Sequence, residues 1–352
     1  MAWPFSKTAS KSFLGVDIGT RVIKIVEISQ KEKRMILENY GILDISGLYK
    51  DSFKTFEKNT LLLSSDNVAN AISAIIKEAK IKTKMANFSL PDFASFFTTF
   101  ELPPMSQKEL VKAVEFEARK YIPLQPEEVV LDWQLTSSNP PDQGKNKILL
   151  SAIPKNTVEQ YKNTAQKAGL ELRALEAEVF ALKRALAVED QKTICIIDIG
   201  VQSTTVSLVE KKILQNSFSF DIGGKDFTFT LSKSLGIDVN QAEEIKKSKG
   251  LKEKVVEPIL FSIIDECEKA IEHFEQEQKI IVEKIILTGG EVLIPGLVDY
   301  FQKILNSSRK ISVELGQPFS KIFYPPALEE IINEIGPTLS VAVGEALKGF
   351  EP

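Results

Sequence analysis

Two short segments of the chain repeat one pattern at a distance of 181 positions, measured from Asp17 to Asp198. Residues 13–28 read FLGVDIGTRVIKIVEI, and residues 194–209 read ICIIDIGVQSTTVSLV. Each is an apolar run, then Asp-Ile-Gly, polar residues and a second β-rich run, which is typical of a hairpin with a glycine-containing turn. The length of 352 residues suits about two domains. The repeat therefore predicts two related α/β lobes, each opened by such a hairpin.

Composition and charge exclude several classes of protein. The net charge of −4 gives no basic field for nucleic acid or anionic lipid, and no run of 18 or more apolar residues predicts a membrane span. Cys195 and Cys267 lie in apolar segments, which predicts buried, reduced thiols in a cytosolic protein. The single histidine, His273, lies in a polar run and is expected on a helix surface, so no His/Cys metal cluster or Ser-His-Asp set can be assembled. Residues 1–11 lack a signal-peptide core and are expected to form a loose lead-in.

Apolar spacing and turn residues predict further elements along the chain. Ser106 and Glu109 form a Ser-x-x-Glu capping box that opens a helix to about Tyr121. A strand–helix–strand–strand module is thereby predicted between the halves of the first lobe. Predicted strands are 35–43, one or two within 86–102, 129–135, 148–153 and 284–288, and predicted loops are 47–65 and 137–146. Other predicted helices are 67–79, 157–168, 225–236, 240–249, 255–278, 297–305 and 337–347.

The two hairpin turns carry residue types that hold phosphates and a metal ion. Backbone N–H groups in tight turns and one cation suit a phosphate, while a carboxylate suits the metal. Asp17 and Asp198 end apolar strands, where an unpaired carboxylate is costly. Gly19 and Gly200 allow close approach of the backbone to an anion. The alternative is that each Asp-x-Gly is only a hairpin turn, which a single copy would leave open and two copies opening two lobes disfavour.

Two more features extend this pattern. Lys24 lies seven positions after Asp17 on the return strand, within reach of the same turn. Gly289 and Gly290 form a third glycine turn after a buried strand. A Gly-Gly pair alone is a weak signal, because many strand-to-helix turns use it, so the order of the three turns carries the argument.

That order resembles the actin-like ATPase superfamily of actin, Hsp70, sugar kinases and FtsA. The resemblance implies an α/β, actin-like (ribonuclease H-like) two-lobed fold that binds ATP with Mg²⁺. It implies that Asp17 and Asp198 hold Mg²⁺ mostly through water, that Lys24 contacts a phosphate, and that Glu178 on the first connecting helix positions a water. The other residues implied to contact the nucleotide are Gly19, Thr20, Arg21, Gly200, Gln202, Ser203, Gly223, Gly224, Gly289, Gly290 and Glu291, with Glu243 and Lys246 as candidate adenosine contacts.

Two connecting helices complete the resemblance, and the first of them carries Glu178. Residues 340–349 match the second connecting helix, where Ala342, Gly344 and Ala346 permit a close crossing. For Glu243 and Lys246 the alternative is a solvated helix with an i,i+3 charge pair, which is worth only ~0.2–0.5 kcal/mol.

The segment FELPPMSQKELVKAVEFEARKYIPLQPEEVVLDWQL, residues 100–135, resembles the PilM family, cytoplasmic actin-like proteins of type IV pilus assembly. The matching elements include Leu102-Pro103, Met105-Ser106, Glu117-Ala118, Tyr121-Ile122-Pro123 and Asp132. The alternative is a generic α/β insertion. FtsA carries its insertion at the same place but ends in an amphipathic membrane helix, and no such helix is expected after residue 349 here.

The resemblance implies an ATP-binding scaffold that is cytoplasmic and reaches the inner membrane through partners. The implied partner is the N-terminal cytoplasmic peptide of a PilN-like protein, bound between the first-lobe core and the inserted subdomain. Other assembly-platform proteins, motor ATPases and self-association are further implied partners. Phe93, Phe96, Phe97 and Phe100 are either groove residues or core residues of this module.

The implied division is a first-lobe core of 1–90, 169–190 and 339–352, and an FtsA-type inserted subdomain of 91–168 in the first lobe. The second lobe has a core of 191–222 and 280–338 and an outer subdomain of 223–279. Val201 and Gln202 follow the second Asp-x-Gly, where relatives carry acidic residues or glycines, and Val179 stands where proline is common. Binding needs none of these residues, whereas aligning a water depends on such positions. We therefore expect slow or negligible hydrolysis. The alternatives are an ATPase or small-molecule kinase with real turnover, a filament, or a type II secretion equivalent.

Overall fold

The computed structural model describes residues 11–48, 56–57, 60–61, 64–136, 144–187, 192–252 and 254–351. The strands are β1 (Lys11–Ile18), β2 (Val22–Lys31), β3 (Arg34–Asp44), β4 (Phe56–Glu57), β5 (Thr60–Leu61), β6 (Met85–Leu90), β7 (Phe96–Leu102), β8 (Val129–Leu135), β9 (Asn146–Pro154), β10 (Glu171–Ala177), β11 (Thr193–Ile199), β12 (Thr204–Glu210), β13 (Ile213–Phe220), β14 (Lys284–Thr288), β15 (Ser312–Leu315) and β16 (Ile322–Phe323). The helices are α1 (Ser65–Glu78), α2 (Gln107–Ala118), α3 (Lys155–Lys167), α4 (Glu178–Leu186), α5 (Gly224–Leu235), α6 (Val239–Lys249), α7 (Glu257–Gln278), α8 (Leu297–Ser308), α9 (Glu329–Ile335) and α10 (Ser340–Lys348).

The first lobe is built on a mixed sheet with the order β10-β6-β1-β2-β3-β16. β1 and β2 form an antiparallel hairpin, and β6 lies parallel to β1 on its other side. Alternate side chains of β1 point to opposite faces. Leu14, Val16 and Ile18 pack with α1 and α3, while the opposite face receives α10.

The second lobe repeats this arrangement on a sheet with the order β13-β12-β11-β14-β15. β11 and β12 form the second antiparallel hairpin, and β14 lies parallel to β11. The apolar faces of α5, α7 and α8 bury one side of this sheet. Both cysteines are buried and His273 is exposed, as predicted. The internal repeat in the sequence is therefore a repeat of sheet architecture.

Helices α4 and α10 pack against each other between the two sheets. Glycine is required at their crossing, because a Cβ at Gly344 would overlap the carbonyl oxygen of Ala181. A Cβ at Gly15 would likewise overlap the carbonyl oxygen of Ala342, so β1 also lies against the α10 backbone. The close crossing predicted for the second connecting helix is confirmed.

The module between the halves of the first lobe has its own sheet, β7-β9-β8, covered by α2. The predicted capping box is present, since the Glu109 carboxylate accepts from the Ser106 N–H at 2.9 Å. Two elements lie across the predicted divisions: α3 packs into the first-lobe core, and β16 of the segment 280–338 pairs with β3. The division into subdomains itself stays a prediction.

Most predicted strands and helices are confirmed, with ends that differ by a few residues. Helix α2 ends at Ala118, before the predicted Tyr121. The elements that the sequence did not predict are β4 and β5, which lie within the predicted loop 47–65, and β10, β13, β15, β16 and α9. Most of them are short or lack clear periodicity. The lead-in up to residue 10 and most of the predicted loops 47–65 and 137–146 lie outside the described residues. No helix in the described ranges is both long and apolar enough to cross a membrane.

Candidate functional site

The two hairpin turns face one cleft between the lobes, and their backbones are closed in the same way. The Gly19 N–H donates to the Val22 carbonyl at 3.1 Å, and the Gly200 N–H donates to the Ser203 carbonyl at 3.0 Å. The strand registers are also equivalent, because Asp17 pairs with Lys24 and Asp198 pairs with Thr205. Each lobe therefore presents one carboxylate at the end of the first strand of its hairpin. Lys24 lies opposite Asp17, and Thr205 lies opposite Asp198.

Asp17 and Lys24 form a buried ion pair in the cleft. Lys24 Nζ lies 2.9 Å from Asp17 Oδ2, and Asp17 is 2% exposed. Burial alone would lower the pKa of Lys24, but Asp17, Asp198 and Glu178 together raise it. Burial, with a contribution from Asp17, raises the pKa of Asp198 to about 6 against the opposing effect of Lys24. Three carboxyl groups, those of Asp17, Asp198 and Glu178, thus lie near one lysine, and a bound cation would stabilise their ionised forms.

Asp17 also has an unsatisfied group. Its Oδ1 is buried and has no hydrogen-bond partner in the structure. A buried acceptor without a partner costs about 1–3 kcal/mol, and such atoms in a cleft often mark the place of an ion or water. The Asp17 carboxylate is therefore suited to a metal-bound water or a metal ion.

Glu178 begins α4 and is tied to Asp92, a residue that the sequence analysis did not single out. The Asp92 N–H donates to Glu178 Oε2 at 3.2 Å, and the Val179 N–H donates to Asp92 Oδ1 at 3.2 Å. This reciprocal pair satisfies one N–H group at the start of α4 with a side chain from a distant part of the chain. Burial raises the pKa of Glu178 well above its usual range, and the charges of Asp92, Asp17 and Asp198 add to this effect. Burial and the charge of Asp198 raise the pKa of Asp92 by more than the hydrogen bonds from Val179 and Thr205 lower it.

The third glycine turn closes the cleft from the second lobe. Gly289 has φ of +98°, a conformation that favours glycine, and a Cβ there would overlap Asp198 Oδ1. Its N–H donates to the Pro337 carbonyl at 3.3 Å, and the Thr288 hydroxyl donates to the same oxygen at 2.8 Å. The turn is thereby fixed to the segment that leads into α10.

The residues predicted for the adenosine side form a buried network beside the cleft. Lys246 Nζ lies 2.9 Å from Glu243 Oε2 and 2.8 Å from Glu291 Oε2. The Gly224 N–H donates to the Gly200 carbonyl at 2.9 Å, so the Gly223-Gly224 turn packs on the second hairpin. The i,i+3 pair of the alternative interpretation exists, but Glu243 and Lys246 are only 5% and 3% exposed, so the helix face is not solvated.

The structure brings together most of the predicted site residues. Those lining the cleft are Asp17, Gly19, Thr20, Arg21, Lys24, Glu178, Asp198, Gly200, Gln202, Ser203, Gly289 and Gly290. Those in the network behind it are Gly223, Gly224, Glu243, Lys246 and Glu291. Further residues of the site are Asp92, Thr205, Thr288 and Ser340. Thr205 was detectable, since it follows Asp198 at the same interval as Lys24 follows Asp17.

Metal ligation would be indirect on this geometry. Across the part of the chain that the structure describes, no three His, Cys, Asp or Glu side chains are grouped closely enough to hold a metal ion. Asp17 and Asp198 lie on opposite lobes, which fits a hydrated ion held between them.

Two hairpin-opened lobes joined by crossing helices, with a small subdomain inserted in the first lobe, define the actin-like class of proteins. The chain belongs to the PilM family, because the family model described as "Type IV pilus assembly protein PilM" matches residues 15–350. This confirms the family and the fold predicted from the sequence.

The chain is also similar to solved structures and to curated proteins. A solved PilM–PilN type IV pilus biogenesis complex is 26% identical, with a TM-score of 0.85 over 96% of this chain and 98% of that one. EutJ from Carboxydothermus hydrogenoformans is 16% identical, covers 96% of this chain and 89% of its own, and has a TM-score of 0.58. FtsA from Streptococcus pneumoniae is 24% identical over 91% of this chain and 79% of its own length.

Proposed function

We propose that the chain is an ATP-binding scaffold of a type IV pilus assembly platform. The observation that carries the proposal is the pair of equivalent carboxylate-bearing turns, Asp17 and Asp198, which face each other across one cleft in a PilM-family chain. Such a scaffold would use nucleotide to set the relation of its lobes. It would act in the cytoplasm and reach the inner membrane through its partners.

The cleft residues fit Mg²⁺ and a phosphate chain. The unpartnered Asp17 Oδ1 and the Asp198 carboxylate would hold the hydrated ion, and Lys24 would contact a phosphate. Gly19 and Gly200 use their own N–H groups to close the turns, so the backbone N–H groups offered to a phosphate would be those at positions 20–22 and 201–203. Bound Mg²⁺ would neutralise phosphate charge and the excess of carboxylates in the cleft.

Slow turnover is the expected behaviour of this site. Burial and the neighbouring carboxylates raise the pKa of Glu178, which favours the neutral carboxyl group, a form that cannot accept a proton from water. Val201 and Gln202 line the cleft without adding a base. A single-turnover assay with purified protein and Mg²⁺ tests this. Rapid phosphate release that is lost in Glu178→Ala would contradict the scaffold and favour the ATPase or kinase alternative.

The proposed partner is the N-terminal cytoplasmic peptide of a PilN-like protein, because the solved relative is a complex of PilM with PilN. An aromatic groove runs between the start of β7 and strand β13 of the second lobe. Its lining includes Phe96, Phe97, Phe218 and Phe220 together with Asp92 and Asp221. β7 and β13 are both edge strands, so each offers unpaired backbone groups to an extended peptide.

This geometry changes the groove expected from the sequence. Phe100 is 6% exposed and packs in the core of the inserted module, so it is a core residue. Phe93 packs against the first-lobe core and lines the nucleotide cleft. Phe96 and Phe97 line only the groove, whereas Phe93 lines the groove and the cleft. The groove therefore faces the second lobe as well as the inserted module, and Phe93 and Gln202 line both it and the cleft.

Calorimetry with a synthetic PilN-like N-terminal peptide tests the partner. We expect Phe96→Ala to weaken binding by at least about tenfold, since an aromatic anchor of an interface is commonly worth 2 kcal/mol or more. Phe116→Ala on α2 is the matched control, because Phe116 is 68% exposed on the same module and lies outside the groove. Equal affinities of the two variants would contradict this placement. Other platform proteins, motor ATPases and self-association stay secondary proposals.

A further inference from the structure

Arg21 links the two lobes across the mouth of the cleft. Its Nε lies 2.9 Å from Asp44 Oδ2 of the first lobe, and its Nη1 lies 2.6 Å from Glu243 Oε1 of the second. Both contacts are made by one planar guanidinium, whose fork of donors can engage two carboxylates at once. The Arg21 side chain is 16% exposed and that of Glu243 is 6% exposed, so water screens the interlobe pair only partly.

The Glu243 carboxylate is fully engaged in this arrangement. Its Oε1 receives Arg21, and its Oε2 receives Lys246 at 2.9 Å and the Thr228 hydroxyl at 2.7 Å. Lys246 in turn pairs with Glu291 at 2.8 Å. Charges of alternating sign therefore run without a break from Asp44 through Arg21, Glu243 and Lys246 to Glu291. The second-lobe residues of this network, Glu243, Lys246 and Glu291, do not line the cleft.

The contact of Arg21 with Glu243 conflicts with a nucleoside bound at Glu243. A carboxylate oxygen is a good acceptor for a sugar hydroxyl group, and Glu243 Oε1 is the oxygen that Arg21 occupies. The connecting helices can serve as the axis of opening, because α4 and α10 touch backbone to backbone at Ala181 and Gly344. Opening the cleft mouth would then separate Arg21 from Glu243 while the crossing stays in place.

We infer that Arg21 is a latch that holds the two lobes together at the mouth of the cleft, and that nucleotide entry requires its release from Glu243. This inference rests on the proposed nucleotide site. Asp44 keeps its hold on Arg21 after release, so the guanidinium stays at the phosphate hairpin. The latch makes the rate of nucleotide entry depend on lobe opening.

A ligand-free distance measurement tests the latch without nucleotide. Ala74 on α1 and Lys233 on α5 are exposed and lie on different lobes, so cysteines at both positions accept spin labels. Cys195 and Cys267 are buried, and burial raises the pKa of both thiols, so they react poorly. We expect Arg21→Gln to add a longer interlobe distance, and Arg21→Lys, which keeps one charge contact, to shift it less.

Stopped-flow binding of a fluorescent ATP analogue with Mg²⁺ is the second readout. We expect Arg21→Gln to raise the association rate constant at least about fivefold, the lower end of typical coupling factors. Arg173→Gln is the matched control, because Arg173 forms an exposed pair with Glu171 away from the cleft. It should change neither the distance nor the rate.

These experiments distinguish a failure of the latch from a failure of the proposed nucleotide-binding function. A longer distance in Arg21→Gln with no nucleotide binding by any protein would keep the latch and refute the proposed function. Nucleotide binding with an unchanged distance and an unchanged or lower association rate in Arg21→Gln would overturn the latch and leave the proposed function standing.

Discussion

Replacing Lys24 by methionine tests whether the carboxylates of the cleft depend on one buried cation. Lys24 Nζ lies 2.9 Å from Asp17 Oδ2, with 15% and 3% of the two side chains exposed. At an effective dielectric constant of about 20, a pair at this distance attracts by about 6 kcal/mol before desolvation. The variant leaves the Asp17 carboxylate buried without its partner and close to Asp198.

Proton uptake sets the ceiling on the cost of this change. A carboxyl group with an ordinary pKa of about 3.9 takes up a proton at about 1.4 kcal/mol for each pH unit above that value, or about 4 kcal/mol at pH 7. The free-energy cost of protonation is smaller than the Coulomb attraction of about 6 kcal/mol, so protonation of the carboxyl group limits the loss of stability. We expect Lys24→Met to lower the free energy of unfolding by about 3–4 kcal/mol at pH 7 and about 1.5 kcal/mol at pH 5.

Urea unfolding followed by circular dichroism at the two pH values measures this difference. The double variant Asp17→Asn, Lys24→Met is the control, because it removes both charges and should be more stable at pH 7 than Lys24→Met alone. A loss below about 1 kcal/mol at pH 7, or an equal loss at both pH values, would refute the reasoning.

Three further predictions concern the lobes and the connecting helices. Gly344→Ala should cost about 1–3 kcal/mol of unfolding free energy because its Cβ would overlap the facing helix, while Gly47→Ala, which meets open space, should change it by less than about 0.5 kcal/mol. Burial raises the pKa of Asp198 to about 6, so its contribution to stability is lost as the pH rises from 3.8 through 6. Asp198→Asn should therefore stabilise the nucleotide-free protein by about 1–2 kcal/mol at pH 7.5 and have little effect at pH 4, in thermal or urea unfolding. Against the effect of burial, hydrogen bonds from Arg184 and a neighbouring lysine lower the pKa of Glu351 to about 2. Glu351→Gln should thus cost about 1 kcal/mol above pH 4.5, and the difference from the parent should vanish as the pH falls towards 2.

The repeat around Asp17 and Asp198 predicted the two-lobed fold because its signal is local. An apolar run, a carboxylate and a glycine turn specify a hairpin wherever they occur, and two hairpins end at equivalent edges of two sheets. Lys24 was predictable for the same reason, since residues seven apart across this turn are cross-strand partners. The spacing of residues in the sequence therefore predicted the hairpin residues that line the cleft.

The walls of the cleft depend on contacts between distant parts of the chain. Asp92 reaches Val179 across 87 positions, and its short segment carries no motif that would mark it. The pairing of Arg21 with Glu243 joins the two lobes, and the sequence predicted both residues for the site but not their contact. Helix α3 shows the same limit, because its amphipathic pattern identifies a buried face without identifying the sheet that it covers.

Calorimetric titration of ATP into the full chain, with and without Mg²⁺, tests the central claim most directly. The account predicts one ATP bound per chain, with an affinity that falls at least about tenfold when Mg²⁺ is removed or when Asp198 is changed to Asn, a loss of about 1.4 kcal/mol or more. Absence of binding at millimolar ATP, or equal affinity of the parent and Asp198→Asn with Mg²⁺ present, would contradict it.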